Sequence, residues 1–129
     1  MSAAGRNVYA IDHVQLAMPE NGEVLARKFY GGLLGLDELA KPANLAARGG
    51  LWFACGALQL HLGVDADFRA AKKAHPALRV RKLGELRAAL ESAGHVIKFD
   101  LEALAGVDRF FTEDPFGNSI EFVALEGSP

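Results

Sequence analysis

The sequence contains little of what marks several protein classes. Its single cysteine, Cys55, leaves no internal disulfide to stabilise a fold, which fits a reducing compartment. No apolar run approaches the roughly 20 residues that a membrane-spanning helix requires, so no membrane partner is expected. Excess charge is missing too: 14 Lys+Arg stand against 16 Asp+Glu, a formal net charge of −2. With no basic face, long-range attraction to nucleic acid or an anionic surface is not expected. Residues 1–8 carry one Arg and no apolar stretch, so they do not read as a signal peptide, and a cytoplasmic location is expected.

What remains is an ordinary globular composition, 50% apolar and 23% charged over 129 residues. A chain of this length buries roughly two-thirds of its unfolded surface, enough for one domain or for two small modules sharing a core. Residues 1–7 read as a loose tail. Tyr9 to Met18 alternates like a strand and stops at Pro19. Asn21 is placed to cap a helix carrying Leu25, Phe29 and Leu33 on one stripe, closed by Gly35. A short strand is expected over Leu36–Ala40, then a loop from Lys41 to Gly50. Leu51–Ala54 and Ala57–Leu62 follow as a hairpin turning at Cys55-Gly56. Asp65 to Ala74 reads as a linker.

The pattern then recurs. His75–Val80 is a predicted strand, and Leu83, Leu86, Leu90 and Ala93 form the stripe of a helix ended by Gly94. Val96–Phe99 is a short strand, and Val107–Glu113 and Ser119–Leu125 form a second hairpin. Its connection, Asp114-Pro-Phe-Gly-Asn118, has turn chemistry throughout. The expectation is an α+β fold of two tandem βαβββ modules, residues 8–64 and 75–125, forming one compact domain. The same number of residues separates His13 from His75 as separates Gln59 from Glu121. Two pairs of metal-capable side chains thus stand at equivalent points of two copies of one motif.

Strand alternation puts His13 and Gln15 on one face and Val14 and Leu16 on the other. It likewise sets Gln59 and His61 opposite Leu58, Leu60 and Leu62, and Glu121 opposite Ile120 and Phe122. A turn at Cys55-Gly56 would pair Trp52 with Gln59 on the polar side. Two imidazoles, a carboxylate and a neutral amide oxygen suit one divalent ion such as Mn, Fe, Co, Ni or Zn. Such an ion acts as a Lewis acid on substrate oxygens and acidifies bound water.

These features resemble the vicinal-oxygen-chelate superfamily, which includes glyoxalase I, bleomycin-resistance proteins, fosfomycin-resistance transferases, methylmalonyl-CoA epimerases and extradiol dioxygenases. The resemblance runs from about Tyr9 to Leu125. It is carried by Ile-Asp-His13-Val, Phe29-Tyr30…Leu34-Gly35-Leu36, Leu-Gln59-Leu-His-Leu-Gly and Asp114-Pro-Phe-Gly-Asn-Ser-Ile-Glu121-Phe. It implies an incomplete barrel around one metal, commonly in a homodimer, with a small-molecule substrate. His13, His75 and Glu121 stand at the superfamily's ligand positions, and Gln59 at a fourth where bacterial-type glyoxalase I has a glutamate. A Gln cannot accept the proton that such a carboxylate takes. The His/Gln/His/Glu set is similar to that of methylmalonyl-CoA epimerases, whose separate base has only Glu38 as a remote counterpart.

The resemblance implies either a metal-dependent isomerase, epimerase, lyase or thiol transferase, or a metal-free protein that sequesters a ligand as bleomycin-resistance proteins do. His61 is placed to line the pocket or to act as an acid/base. Arg79 and Arg109 are placed to grip an anionic substrate or to sit solvated, and Trp52 belongs to the pocket wall or, with a one-residue slip, to the core. Cys55 has no activating partner in the sequence. Whether the ligands come from one chain or from two is open.

Overall fold

A computed structural model describes residues 7–99 and 106–125; residues 1–6 of the expected tail lie outside this range. The first half of the chain forms a four-stranded sheet from β1 (His13–Met18), β2 (Glu38–Leu39), β3 (Leu51–Cys55) and β4 (Leu58–Val64), in the order β1-β4-β3-β2. β1 runs parallel to β4, with His13 opposite Gln59 and Gln15 opposite His61. β1 starts later than the alternation suggested. Tyr9 and Ile11 have the right residue type for a strand but are exposed, and the paired register begins at His13.

The β3–β4 hairpin turns one residue further on than expected. Cys55 pairs with Leu58, so Gly56-Ala57 forms the loop and Trp52 faces His61 rather than Gln59. Gly56 adopts φ 59° at the first loop position, where a two-residue hairpin of the II′ kind requires a positive φ. Because the partner shifts by two residues, every side chain keeps its face, and Trp52 stays on the polar side.

The helix after β1 begins as α1 (Glu23–Ala26) and continues as a π-helical segment, Arg27–Leu33, whose wide turn ends with Leu34 N–H donating to Phe29 O at 2.9 Å. Asn21 does not cap it. Asn21 sits at φ 63° as a turn residue, and Gly22 occupies the cap position. The buried stripe is Ala26, Phe29 and Tyr30 with Leu33 beside it, while Leu25 is half exposed. The 26-29-30-33 spacing describes a fuller helical face than the 25-29-33 row. A short helix, α2 (Ala43–Ala46), lies inside the expected loop. That loop ends at Gly49 and Gly50, both at positive φ, and a Cβ on Gly50 would collide with the Leu62 carbonyl oxygen.

The second half repeats the order β, α, β, β: β5 (Ala77–Arg79), α3 (Leu83–Ser92), β6 (Val107–Glu113) and β7 (Ser119–Leu125), in a sheet ordered β5-β7-β6. α3 ends as its sequence indicates. Gly94 takes φ 91°, and His95 N–H closes back on Leu90 O at 2.9 Å in a Schellman-type cap. The strand expected over Val96–Phe99 is reduced to one bridge, Lys98 to Phe111. Pro76 has no N–H to add to a ladder, yet its carbonyl accepts from Glu121 N–H at 3.0 Å, fixing the start of β5 against β7.

The inner faces of both sheets and the helices share one core, in which Met18, Phe29, Tyr30, Phe53 and Leu60 of the first half meet Leu90, Phe110, Ile120 and Phe122 of the second. The two sheets do not close into a barrel among the described residues. At the seam, the Asp114–Asn118 turn ties the halves together. Asp114 Oδ1 accepts the Phe116 and Asn118 N–H groups, both at 2.9 Å. Its Oδ2 accepts from Tyr30 Oη at 2.7 Å and from Asn118 Nδ2 at 3.0 Å. Asn118 Nδ2 also donates to Ala17 O of β1, and Asn118 Oδ1 accepts from Ala71 N–H. Residues 70–72 thereby run along the turn, with Lys72 reaching Gly117 O and Glu113. No helix of the described residues is long and apolar enough to cross a membrane.

Candidate metal and substrate site

The four candidate donors assemble as two pairs, one on each sheet. On the first sheet the β1–β4 register sets His13 beside Gln59. His61 ties the pair together: its ring stacks on His13 at 4.3 Å with planes 17° apart, and its Nε2–H donates to Gln59 Oε1 at 2.8 Å. Trp52 stacks on its other face at 4.3 Å and 7°. His61 is therefore buried although it lies on the polar side of the strand, with 5% of its surface exposed. Burial, and secondarily the neighbouring His13, hold its imidazole below the ordinary pKa of 6.5, favouring the neutral ring. Trp52 stacks on His61 and lies outside the buried core.

The strand expected from His75 begins only at Ala77, and from just before it His75 places Nε2 3.0 Å from Oε1 of Glu121 on β7. The His75 Nδ1–H donates to Lys73 O at 2.8 Å, and His13 Nδ1–H likewise donates to Asp12 Oδ2 at 2.9 Å. Both rings thus commit Nδ1 as donor, which orients each ring from its far side and directs Nε2 at the candidate site. A proton on Nε2 makes the His75–Glu121 contact an ion pair, and a cation taking that proton's place would be held by the same nitrogen and oxygen. The donor set fits a divalent ion.

Glu121 is itself buried, and its Oε2 lies 3.4 Å from Arg109 Nη1. In the β5-β7-β6 register, Ala77, Glu121 and Phe111 form one row, and Arg79, Val123 and Arg109 form the row two residues along, so both arginines share the carboxylate's face of the sheet. Arg109 also sits over the Phe111 ring, its Cζ 5.7 Å from the centroid. Arg79 is exposed.

The two pairs do not meet within one chain. Among the described residues, no group of three His, Cys, Asp or Glu side chains lies close enough to hold an ion. Two other candidates are engaged elsewhere. Glu38 is held by Arg27 at 2.9 and 3.2 Å, on the face of its partner Phe53 and away from Trp52, so it is no base for this site. Burial raises the Cys55 thiol above its usual pKa, the opposite of an activated nucleophile. The sequence reading did not register His61 as the hub between His13 and Gln59. The signal was there in the alternation, which puts a histidine two residues from Gln59 on the same face.

A four-stranded sheet ordered β1-β4-β3-β2 and a three-stranded sheet ordered β5-β7-β6, joined through one core and each with a candidate donor pair at its polar face, define a protein of the vicinal-oxygen-chelate class. Comparison with solved structures agrees. A glyoxalase family protein of Bacillus anthracis is 44% identical over 94% of this chain and 98% of its own, with a TM-score of 0.88. FosX, a genomically encoded fosfomycin resistance protein of Listeria monocytogenes, shares the fold at 13% identity, with 93% of this chain and 94% of that chain covered and a TM-score of 0.75. A glyoxalase/dioxygenase of Nostoc punctiforme does so at 20% identity, covering 92% of each chain with a TM-score of 0.74. No protein-family profile and no curated protein matches the sequence. The chain belongs to the glyoxalase family of the vicinal-oxygen-chelate superfamily.

Proposed function

We propose that this protein is a metal-dependent enzyme acting on a small molecule that offers one or two adjacent oxygens to a divalent cation, in a homodimer that is its working form. His13, His75 and Glu121 hold the ion, with Gln59 as a weaker fourth donor. The observation that carries this reading is the His75 Nε2–Glu121 Oε1 contact at 3.0 Å, with Nδ1 already committed to Lys73 O. Because the His13/Gln59 and His75/Glu121 pairs stay apart in one chain, the proposal sets the first pair of one copy against the second pair of another.

A bound divalent ion would supply Lewis-acid polarisation of the substrate oxygen and a more acidic bound water. The chain's own residues do the rest. Trp52 presents a flat apolar surface on the far side of His61 from His13, and Arg79 and Arg109 offer positive charge to an anionic part of the substrate. Gln59 contributes a neutral oxygen and cannot accept a proton, so a base at that position, as in glyoxalase I, is replaced by one elsewhere. Isomerisation, epimerisation, elimination and thiol transfer all fit this arrangement.

The test is metal content of protein purified without a chelating tag and reconstituted with Mn²⁺, Co²⁺, Ni²⁺ or Zn²⁺. Wild type should retain the ion stoichiometrically, and His75→Ala should weaken it by more than the roughly 10–100-fold that follows loss of a supporting hydrogen bond. Equal, negligible metal in both proteins, with small-molecule thermal stabilisation indifferent to EDTA, would replace the enzyme with a ligand-sequestering protein.

A further inference from the structure

His61 touches both donors of the first pair, yet it occupies neither ligand position. Its ring is clamped between His13 and Trp52 at 4.3 Å on each side, leaving rotation about χ2 little room. Its hydrogen bond goes to Gln59, at 2.8 Å from Nε2 to Oε1. A glutamine side chain has three freely rotating bonds and an amide that presents either oxygen or nitrogen. Only the oxygen is a metal donor, and an Nε2–H pointed at one end of the amide selects the oxygen for that end. One Oε1 lone pair is then taken, and the other stays available in the plane of the amide.

We propose that His61 is a positioning residue: it fixes the Gln59 carboxamide with its oxygen on the site side and holds the His13 ring by stacking, so that the first donor pair is oriented before any ion arrives. This rests on the metal reading above for its consequence, but not for its geometry.

Three variants separate this role from a merely structural one. His61→Phe keeps an aromatic ring in the stack and removes the donor. His61→Gln loses the ring but returns an N–H donor near the Nε2 position. Gln59→Ala removes the group being positioned. If His61 acts through Gln59, Co²⁺ affinity should fall roughly 10-fold or more in His61→Phe and recover in part in His61→Gln, and His61→Phe should add little in a Gln59→Ala background. A residue that only packs the stack gives the reverse order, with His61→Phe the better binder, and that result would overturn the proposal.

The second readout needs no metal. In metal-free protein the Gln59 side-chain NH₂ order parameter should be high in wild type and fall toward mobile values in His61→Phe. An unchanged order parameter would also overturn the positioning role, whereas wild type that fails to bind Co²⁺ while the Gln59 amide loosens as described would sink the metal reading alone.

Discussion

Replacing Tyr30 with Phe removes a single oxygen at the seam between the two halves, and its cost can be worked from the contacts. Tyr30 is fully buried, and its hydroxyl donates to Asp114 Oδ2 at 2.7 Å. Burial and the adjacent Asp114 push the phenol well above its ordinary pKa of 10.0, so it stays a donor through the neutral range. A hydrogen bond to a charged partner contributes about 1.5–3 kcal/mol, against about 0.5–1.5 for a neutral pair. Phe fills the same volume, and Asp114 keeps its bonds from Phe116 N, Asn118 N and Asn118 Nδ2, so no new cavity or orphan charge adds to the loss. The expected destabilisation is therefore about 2 kcal/mol, or a fall in Tm of roughly 6–10 °C for a chain of this size. Urea denaturation followed by Trp52 fluorescence at fixed protein concentration measures it, with the slope of the transition unchanged. Asp114→Asn should cost more, because its NH₂ would face donors at Tyr30 and Asn118, and the two substitutions should be strongly non-additive. A loss below about 0.5 kcal/mol for Tyr30→Phe would refute the charge-assisted seam.

Gly50→Ala should destabilise by about 3 kcal/mol or more, since it combines a backbone at φ 84° with a clash on the Leu62 carbonyl. Gly56→Ala, at φ 59° with no atom within 4 Å of the added carbon, should cost only about 1 kcal/mol, and comparing their urea midpoints checks the distinction. Hydrogen bonds from Lys72 and Lys98 hold the Glu113 carboxyl below its usual pKa of 4.5. Its contribution is thus complete above pH 4.5 and is lost as the pH falls through the folded value. Solvent exposure of all three side chains keeps that contribution small. Glu113→Gln should narrow the gap between urea midpoints measured at pH 7 and pH 3.5, and an unchanged gap would remove the ion pairs from the acid limb.

Much of the architecture was legible because it is written in local periods. β6 and β7 fall on the residues their alternation and turn chemistry indicated, and α3 ends at Gly94 because only an unbranched backbone takes φ 91° cheaply. The equal spacing of His13 from His75 and of Gln59 from Glu121 does not carry over into matched registers: His13 stands opposite Gln59, but Ala77 stands opposite Glu121, and His75 lies two residues before β5. Where local signals competed, they misled. Tyr9 and Ile11 look like a strand but pair with none of the described strands, and the stripe on Leu25 lost to the one on Ala26 and Tyr30.

The chain's residues by themselves determined the fold class, the family and the chemical types of the donors. The fold class and donor types follow from side-chain identity and spacing along one dimension, and the family from the resemblance its motifs carry. Only the tertiary structure decided that the donors form two separate pairs, that His61 joins His13 to Gln59, and that the Asp114–Asn118 turn is a junction between the halves rather than a loop. Those are contacts between strands brought together by packing. Their geometry depends on how two sheets settle over a common core, which no spacing within either half encodes.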